Sequence, residues 1–303
     1  MPVSKIQSTI LWVIVLNVAI SLAQVVGGFM SSSGALLSDA AHNFSDVVAL
    51  LACWWALGLS GRETSKHRTF GYRRAETLAA FANGLGLLVM AAFLLFQGIS
   101  SIIRPVLISN TNSVIGLAIA SLIVNALSAW LLRAPSRTSL NTKAAYVHLF
   151  SDMLTSVAVL VDGVLMKHTG AFWIDGLLTA LISIYLGKVS LKLLKESTSV
   201  LMHFTPAGVD IESIKNSIDD IPEVDNVHHI HVWKLSDSEV HLEAHVEYRS
   251  DLSLSESGRV LAGIKKLLAN NFGITHCTFQ QEYGVKGESK AVVFRLNDIS
   301  LPA

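Results

Sequence analysis

Six apolar stretches fill the first two thirds of the chain, and shorter amphipathic and alternating patterns fill the rest. About 20 consecutive apolar residues make a helix that can cross a bilayer. Stretches 10–30, 77–103 and 112–132 reach that length without a charged residue, and 35–60, 144–166 and 171–194 reach it with a few ionisable groups. The pattern predicts six transmembrane helices. Beyond Pro206 the period changes: 208–220 reads as an amphipathic helix, 227–235 as a strand, 236–238 as a turn and 239–248 as a second strand. A helix over 254–272 and a strand over 276–283 complete an αββαβ order, which fits a ferredoxin-like α/β domain.

The expected organisation is therefore an α-helical membrane domain over 1–204, a cytoplasmic α/β domain over 205–285 and a polar, loosely held tail over 286–303. Composition agrees, with 51% hydrophobic and only 15% charged residues. Net charge is zero, but residues 1–204 hold 8 of the 23 acidic residues and 205–303 hold 15. No basic tract suits nucleic acid. Cys53 and Cys277 fall in different domains without metal-type spacing, which argues against a disulfide framework. Basic residues gather after the second stretch (Arg62, Lys66, Arg68, Arg73, Arg74) and the fourth (Arg133, Arg137, Lys143), with Lys188, Lys192 and Lys195 near the end of the sixth. By the positive-inside rule both termini face the cytoplasm.

Against this apolar background, DAAHNFSD (39–46) and HLFSD (148–152) stand out. A charged residue at a helix centre costs roughly 2.5–3.5 kcal/mol to insert. Residues four apart share a helix face, so His42 pairs with Asp46 and His148 with Asp152. Bringing the two faces together supplies two imidazole nitrogens and two carboxylate oxygens, a tetrahedral set suited to Zn2+, with Cd2+ and Co2+ as further candidates. Neutral imidazole binds metal and imidazolium does not, so metal and protons compete for such a site. Asp39 reads either as a helix cap or as a residue at the ion's entrance, and Asp162 either as a proton carrier or as the partner of a neighbouring helix. Asn17, Gln24, Asn83 and Asn125 are expected to be interhelical hydrogen-bond donors.

With LLSDAAHNFSD, HLFSD, TFGYRRAETLAAFANG and VHHIHVWKL in this order, the chain resembles the cation diffusion facilitators, most closely the bacterial cobalt–zinc–cadmium resistance branch. The resemblance implies a homodimeric metal/proton antiporter of the bacterial inner membrane, exporting Zn2+ by alternating access, with His42, Asp46, His148 and Asp152 as transport site. Some relatives carry a second site before the third helix. Arg68 and Tyr72 stand where its histidines would fall, so none is expected here.

Six of the eleven histidines lie between 228 and 276. Strand alternation puts His241, Glu243, His245 and Glu247 on one face, with His229, His231 and Trp233 turned the same way and His228 at the strand's entrance. The resemblance implies a regulatory Zn2+ site here from His228, His245 and Glu282, with His276 nearby. Two other functions remain in view: a membrane-anchored metal sensor and a membrane metallohydrolase. The second lacks a Glu beside a ligand histidine, as in H-E-x-x-H, and four protein ligands would close its metal.

Overall fold

A computed structural model describes residues 3–31, 34–103, 112–169, 173–237 and 239–284. The chain divides into two compact units, Met1–Thr198 and Ser199–Ala303. The tail expected over 286–303 lies outside the described residues.

The first unit is helical: α1 (Val3–Ser31), α2 (Gly34–Ser60), α3 (Ala75–Ile103), α4 (Asn112–Arg133), α5 (Leu140–Thr169) and α6 (Trp173–Leu201). At about 1.5 Å per residue even the shortest exceeds the roughly 30 Å of a bilayer's hydrocarbon core. By length and composition, two described stretches are apolar enough to cross a membrane, Ser4–Gly27 and Ala75–Ser100, with shorter apolar stretches at Asp46–Ser60 and Ile119–Leu132. Burial runs opposite to that of a water-soluble bundle. Trp12, Phe29, Phe93, Phe96 and Trp130 are exposed, while Asn17, Gln24, Asn43, Asp46 and Asn125 are buried. Large apolar surface facing outward and polar groups facing inward is the distribution a lipid solvent selects.

Helix α5 lies between two packed clusters. Ala145 and Leu149 join α1, α2 and α4 through Ile10, Val13, Leu50 and Leu132. Ala144 and Val147 join α3 and α6 through Leu87, Ala91 and Leu193. The α3–α6 contact depends on bare backbone. A Cβ on Gly176 would stand 2.5 Å from the Gly98 carbonyl oxygen and 2.6 Å from the Ile102 nitrogen, distances only a glycine pair permits. Polar side chains hold the other helices. The Asn17 amide donates to Ser128 Oγ at 3.2 Å, and Asn43 donates to Gln24 at 2.7 Å and Ser121 at 3.2 Å. Asn17 thus donates between helices as its sequence position suggested, whereas in the Asn43 pair Gln24, expected as a donor, accepts through Oε1. Asn83 instead has a buried Nδ2 with no hydrogen-bond partner among the described residues. Glu76 ties three helix ends, with the Ser60 hydroxyl 2.6 Å from one carboxylate oxygen and the Ser139 hydroxyl 2.7 Å from the other.

The second unit follows the αββαβ order with α7 (Ile211–Asp219), β1 (Val224–Lys234), β2 (Val240–Tyr248), α8 (Leu254–Phe272) and β3 (His276–Tyr283). Helix α7 starts later than its apolar pattern because Asp210 is the N-cap, accepting from the Glu212 amide. Helix α8 has a full capping box from Ser253 and Glu256, and it stops at Gly273, whose φ of 66° suits a left-handed cap. The sheet is mixed, ordered β1-β2-β3, with β1 antiparallel and β2 parallel to its neighbour and α8 as the crossover. Ile214, Ile218, Ile264 and Leu268 of the helices pack on Val227, Ile230, Leu242 and Val246 of the sheet.

Strand β1 is not regular. A register shift between His228 and His231 coincides with His229 at φ 53°. This bulge turns Ile230 into the core and leaves His228 opposite His245 and His231 opposite Glu243. Simple alternation from the sequence cannot place three such histidines on one side. At the other end of the sheet, Trp233 stacks on His241 with centroids 5.5 Å apart, and His241 lies 4.5 Å from the His276 ring. Burial and then the facing His276 hold the His241 pKa below its ordinary value of 6.5, against a smaller opposing pull from Glu239.

Two tests follow from this packing. Gly176→Val should destabilise the helical unit by about 1–3 kcal/mol through overpacking, whereas Gly187→Ala in the same helix, whose Cβ meets only Ala91 at 3.9 Å, should be neutral or stabilising; melting in detergent compares them. A histidine with a lowered folded pKa is protonated first in the unfolded chain. Stability of the second unit should therefore fall as pH drops through 6.5 toward the lower folded value, and level off below it. His241→Phe should flatten that dependence in melts followed by Trp233 fluorescence.

Candidate metal centre

Asp46 of α2 and His148 and Asp152 of α5 converge inside the helical unit, with one ligand atom from each within 4.8 Å of the others. His148 Nε2 is 2.5 Å from Asp46 Oδ1 and 3.8 Å from Asp152 Oδ2. The Asp46 side chain is 1% exposed, that of His148 19% and that of Asp152 13%. His42 lies in α2, but its side chain, like those of Asp39 and Asp162, is outside the described residues.

Local chemistry explains why these groups meet. Asn43, one turn before Asp46, is fastened to Gln24 and Ser121, which fixes the rotation of α2. The register between α2 and α5 is set by Asn141, whose amide donates to the Cys53 carbonyl at 2.9 Å. Cys53 is two turns on from Asp46 and Asn141 two turns back from His148, so these antiparallel helices bring Asp46 level with His148. Sequence reading missed this lock; the signal available was a polar residue opening an apolar helix. A cavity of about 160 Å³ adjoins Asp46 and His148, walled by Asn83, by Leu50, Leu87 and Met90, and by small residues of α2, α3 and α5. Elsewhere, Arg68 lies over the Tyr72 ring at 4.8 Å, a cation–π pair in the loop before α3.

In the second unit His228, His245 and Glu282 also converge within 4.8 Å. Glu282 Oε1 is 2.8 Å from His245 Nδ1 and Oε2 is 3.4 Å from His228 Nε2. The His229 ring stacks on His245 at 4.7 Å and stands 4.8 Å from His231, so four imidazoles share this end of the sheet. His276 does not join them. The parallel register places it opposite His241, while Glu282 lies six residues further along β3, about 20 Å away at strand rise. Two imidazoles and a carboxylate of low exposure make a three-coordinate nitrogen–oxygen set that leaves a fourth position open.

Residues 10–202 match the cation efflux transmembrane domain, and residues 206–283 match the cation efflux protein cytoplasmic domain. The metal cation efflux system protein CzcD of Cupriavidus metallidurans is 36% identical over 261 residues, covering 86% of this chain and 82% of its own. The cadmium, cobalt and zinc/H(+)-K(+) antiporter of Bacillus subtilis is 31% identical over 274 residues, with 90% and 88% covered. The zinc transporter ZitB of Escherichia coli is 35% identical over 264 residues, with 86% and 83% covered. With both domains matched in order along nearly the whole chain, this protein belongs to the cation efflux family and is a metal-cation efflux transporter, not an enzyme.

Proposed function

We propose that this protein exports Zn2+, with Cd2+ and Co2+ as further substrates, in exchange for protons, and that Asp46, His148 and Asp152 bind the ion together with His42. The observation that carries the reading is the convergence of two carboxylates and an imidazole inside an otherwise apolar helical unit. Continuing the α2–α5 register by one turn brings position 42 level with Asp152, which supports His42 as the fourth ligand. A nitrogen–oxygen set favours Zn2+ over Mg2+ or Ca2+, which take all-oxygen shells. Protonation of imidazole and carboxylates releases the metal, and metal entry releases protons, so a site opening alternately to each side couples the two fluxes. The names of the Bacillus and Escherichia relatives, an antiporter and a zinc transporter, point the same way.

On this reading all six long helices cross the bacterial inner membrane, with both termini in the cytoplasm as the basic loops indicate. The chain works as a homodimer, and the matched cytoplasmic domain, whose family designation refers to a dimer, supplies part of that interface. His228, His245 and Glu282 bind a regulatory Zn2+ there.

Two experiments test the reading. In vesicles carrying a zinc dye, wild-type flux should follow an imposed pH gradient and Asp152→Ala should abolish it; flux indifferent to the gradient would refute exchange. For the second site, Zn2+ titrated calorimetrically into the full-length protein should lose one binding event in His245→Ala while vesicle transport persists. Unchanged stoichiometry would remove the regulatory assignment.

A further inference from the structure

The cavity beside the metal centre has a polar wall that the ligand set does not use. Asp46 and His148 line it from one side and Asn83 of α3 from the other. Asn83 Nδ2 is buried and has no hydrogen-bond partner among the described residues. An amide in that condition is uncommon unless a water or ligand completes it. The volume, about 160 Å³, is room for about five waters at roughly 30 Å³ each, or for a divalent ion that keeps part of its shell. Ala49, Ala82, Gly86, Ala144 and Ala145 leave room between the larger Leu50, Leu87 and Met90. The lining also has a direction. Its other α2 residues, Ala49 and Leu50, follow Asp46, and its α5 residues Ala144 and Ala145 precede His148. The cavity therefore lies on the side of the site where Ser60, Glu76 and Ser139 meet, which is the cytoplasmic side in the proposed topology.

We propose that Asn83 is a positioning residue of the ion's path: its amide holds the water shell of the incoming divalent cation in this cavity and presents the ion to Asp46 and His148. The inference rests on the transport reading above. The buried Nδ2 donates to a cavity water, and that water accepts in turn from metal-bound water, which is a strong donor. Neutrality is the point of the residue type. Conduction needs a site favourable enough to enter and weak enough to leave. A third carboxylate at this position would deepen the well, whereas an amide holds the water without adding charge.

Opposite substitutions at one position test this. In zinc-dye vesicles, Asn83→Leu, nearly isosteric and apolar, should raise the KM for Zn2+ about 3- to 10-fold, the worth of one ordinary hydrogen bond, with kcat little changed. Asn83→Asp should lower KM and also lower kcat, because the ion is held too well. Asn83→Ala removes the amide with less bulk and should raise KM as Asn83→Leu does; it serves also if Asn83→Leu fails to fold. The proposal is overturned if Asn83→Ala and Asn83→Leu retain the wild-type KM, or if the Leu and Asp variants at 83 shift KM in the same direction. Wild-type vesicles without flux, or flux that survives Asp152→Ala, would instead refute the transport reading.

Discussion

Two carboxylates held around one imidazole in a poorly polar interior need a positive charge among them, and the architecture of the helical unit follows from that need. Ionised groups within the 4.8 Å spanned by this cluster repel by about 3 kcal/mol at an effective dielectric near 20. A divalent cation or a proton relieves the repulsion. In the proposed exchange mechanism, the same constraint that makes the cluster costly in a helix bundle favours replacing one cation by another over leaving the site empty.

Keeping the cluster assembled falls to groups one and two turns away. Asn43 orients α2, Asn141 sets the α2–α5 register, and Glu76 gathers the ends of α2, α3 and α5 through Ser60 and Ser139. Because α5 packs on α1, α2 and α4 by one face and on α3 and α6 by another, any displacement of one cluster relative to the other passes through the helix that carries His148 and Asp152. The α3–α6 pair, joined backbone to backbone at Gly98 and Gly176, is suited to act as one body in such a displacement. Packed cores switch between discrete arrangements more readily than they deform continuously.

Much of this was legible in the sequence because it rests on short-range patterns. Helix α8 and strand β3 begin and end where period and capping residues put them, since Ser253, Glu256 and Gly273 act within a few residues of their own position. The pairing of His148 with Asp152 is likewise a property of helical spacing. The bulge in β1 was not legible. It depends on Ile230 finding the core and on His229 accepting a left-handed backbone, which alternation cannot report. Nor could spacing separate His276 from Glu282; only the parallel register to β2 assigns them to opposite ends of a sheet. Asn83 read as one more bridging amide, because a cavity exists only where small residues of three helices meet.

The polarity of the interior grades along the proposed ion path. The cavity offers the neutral amide of Asn83 and the edge of the cluster, and the site itself concentrates carboxylate and imidazole. On the proposed path an ion first shares waters held by the uncharged amide and then exchanges them for charged ligands, so desolvation is spread over two steps of smaller height. Reversing the order would place the strongest ligands at the entrance, where the ion would stop. The sheet domain obeys a different logic. Its His228, His245 and Glu282 cluster sits on a face fixed by strand pairing, a geometry suited to holding an ion in place.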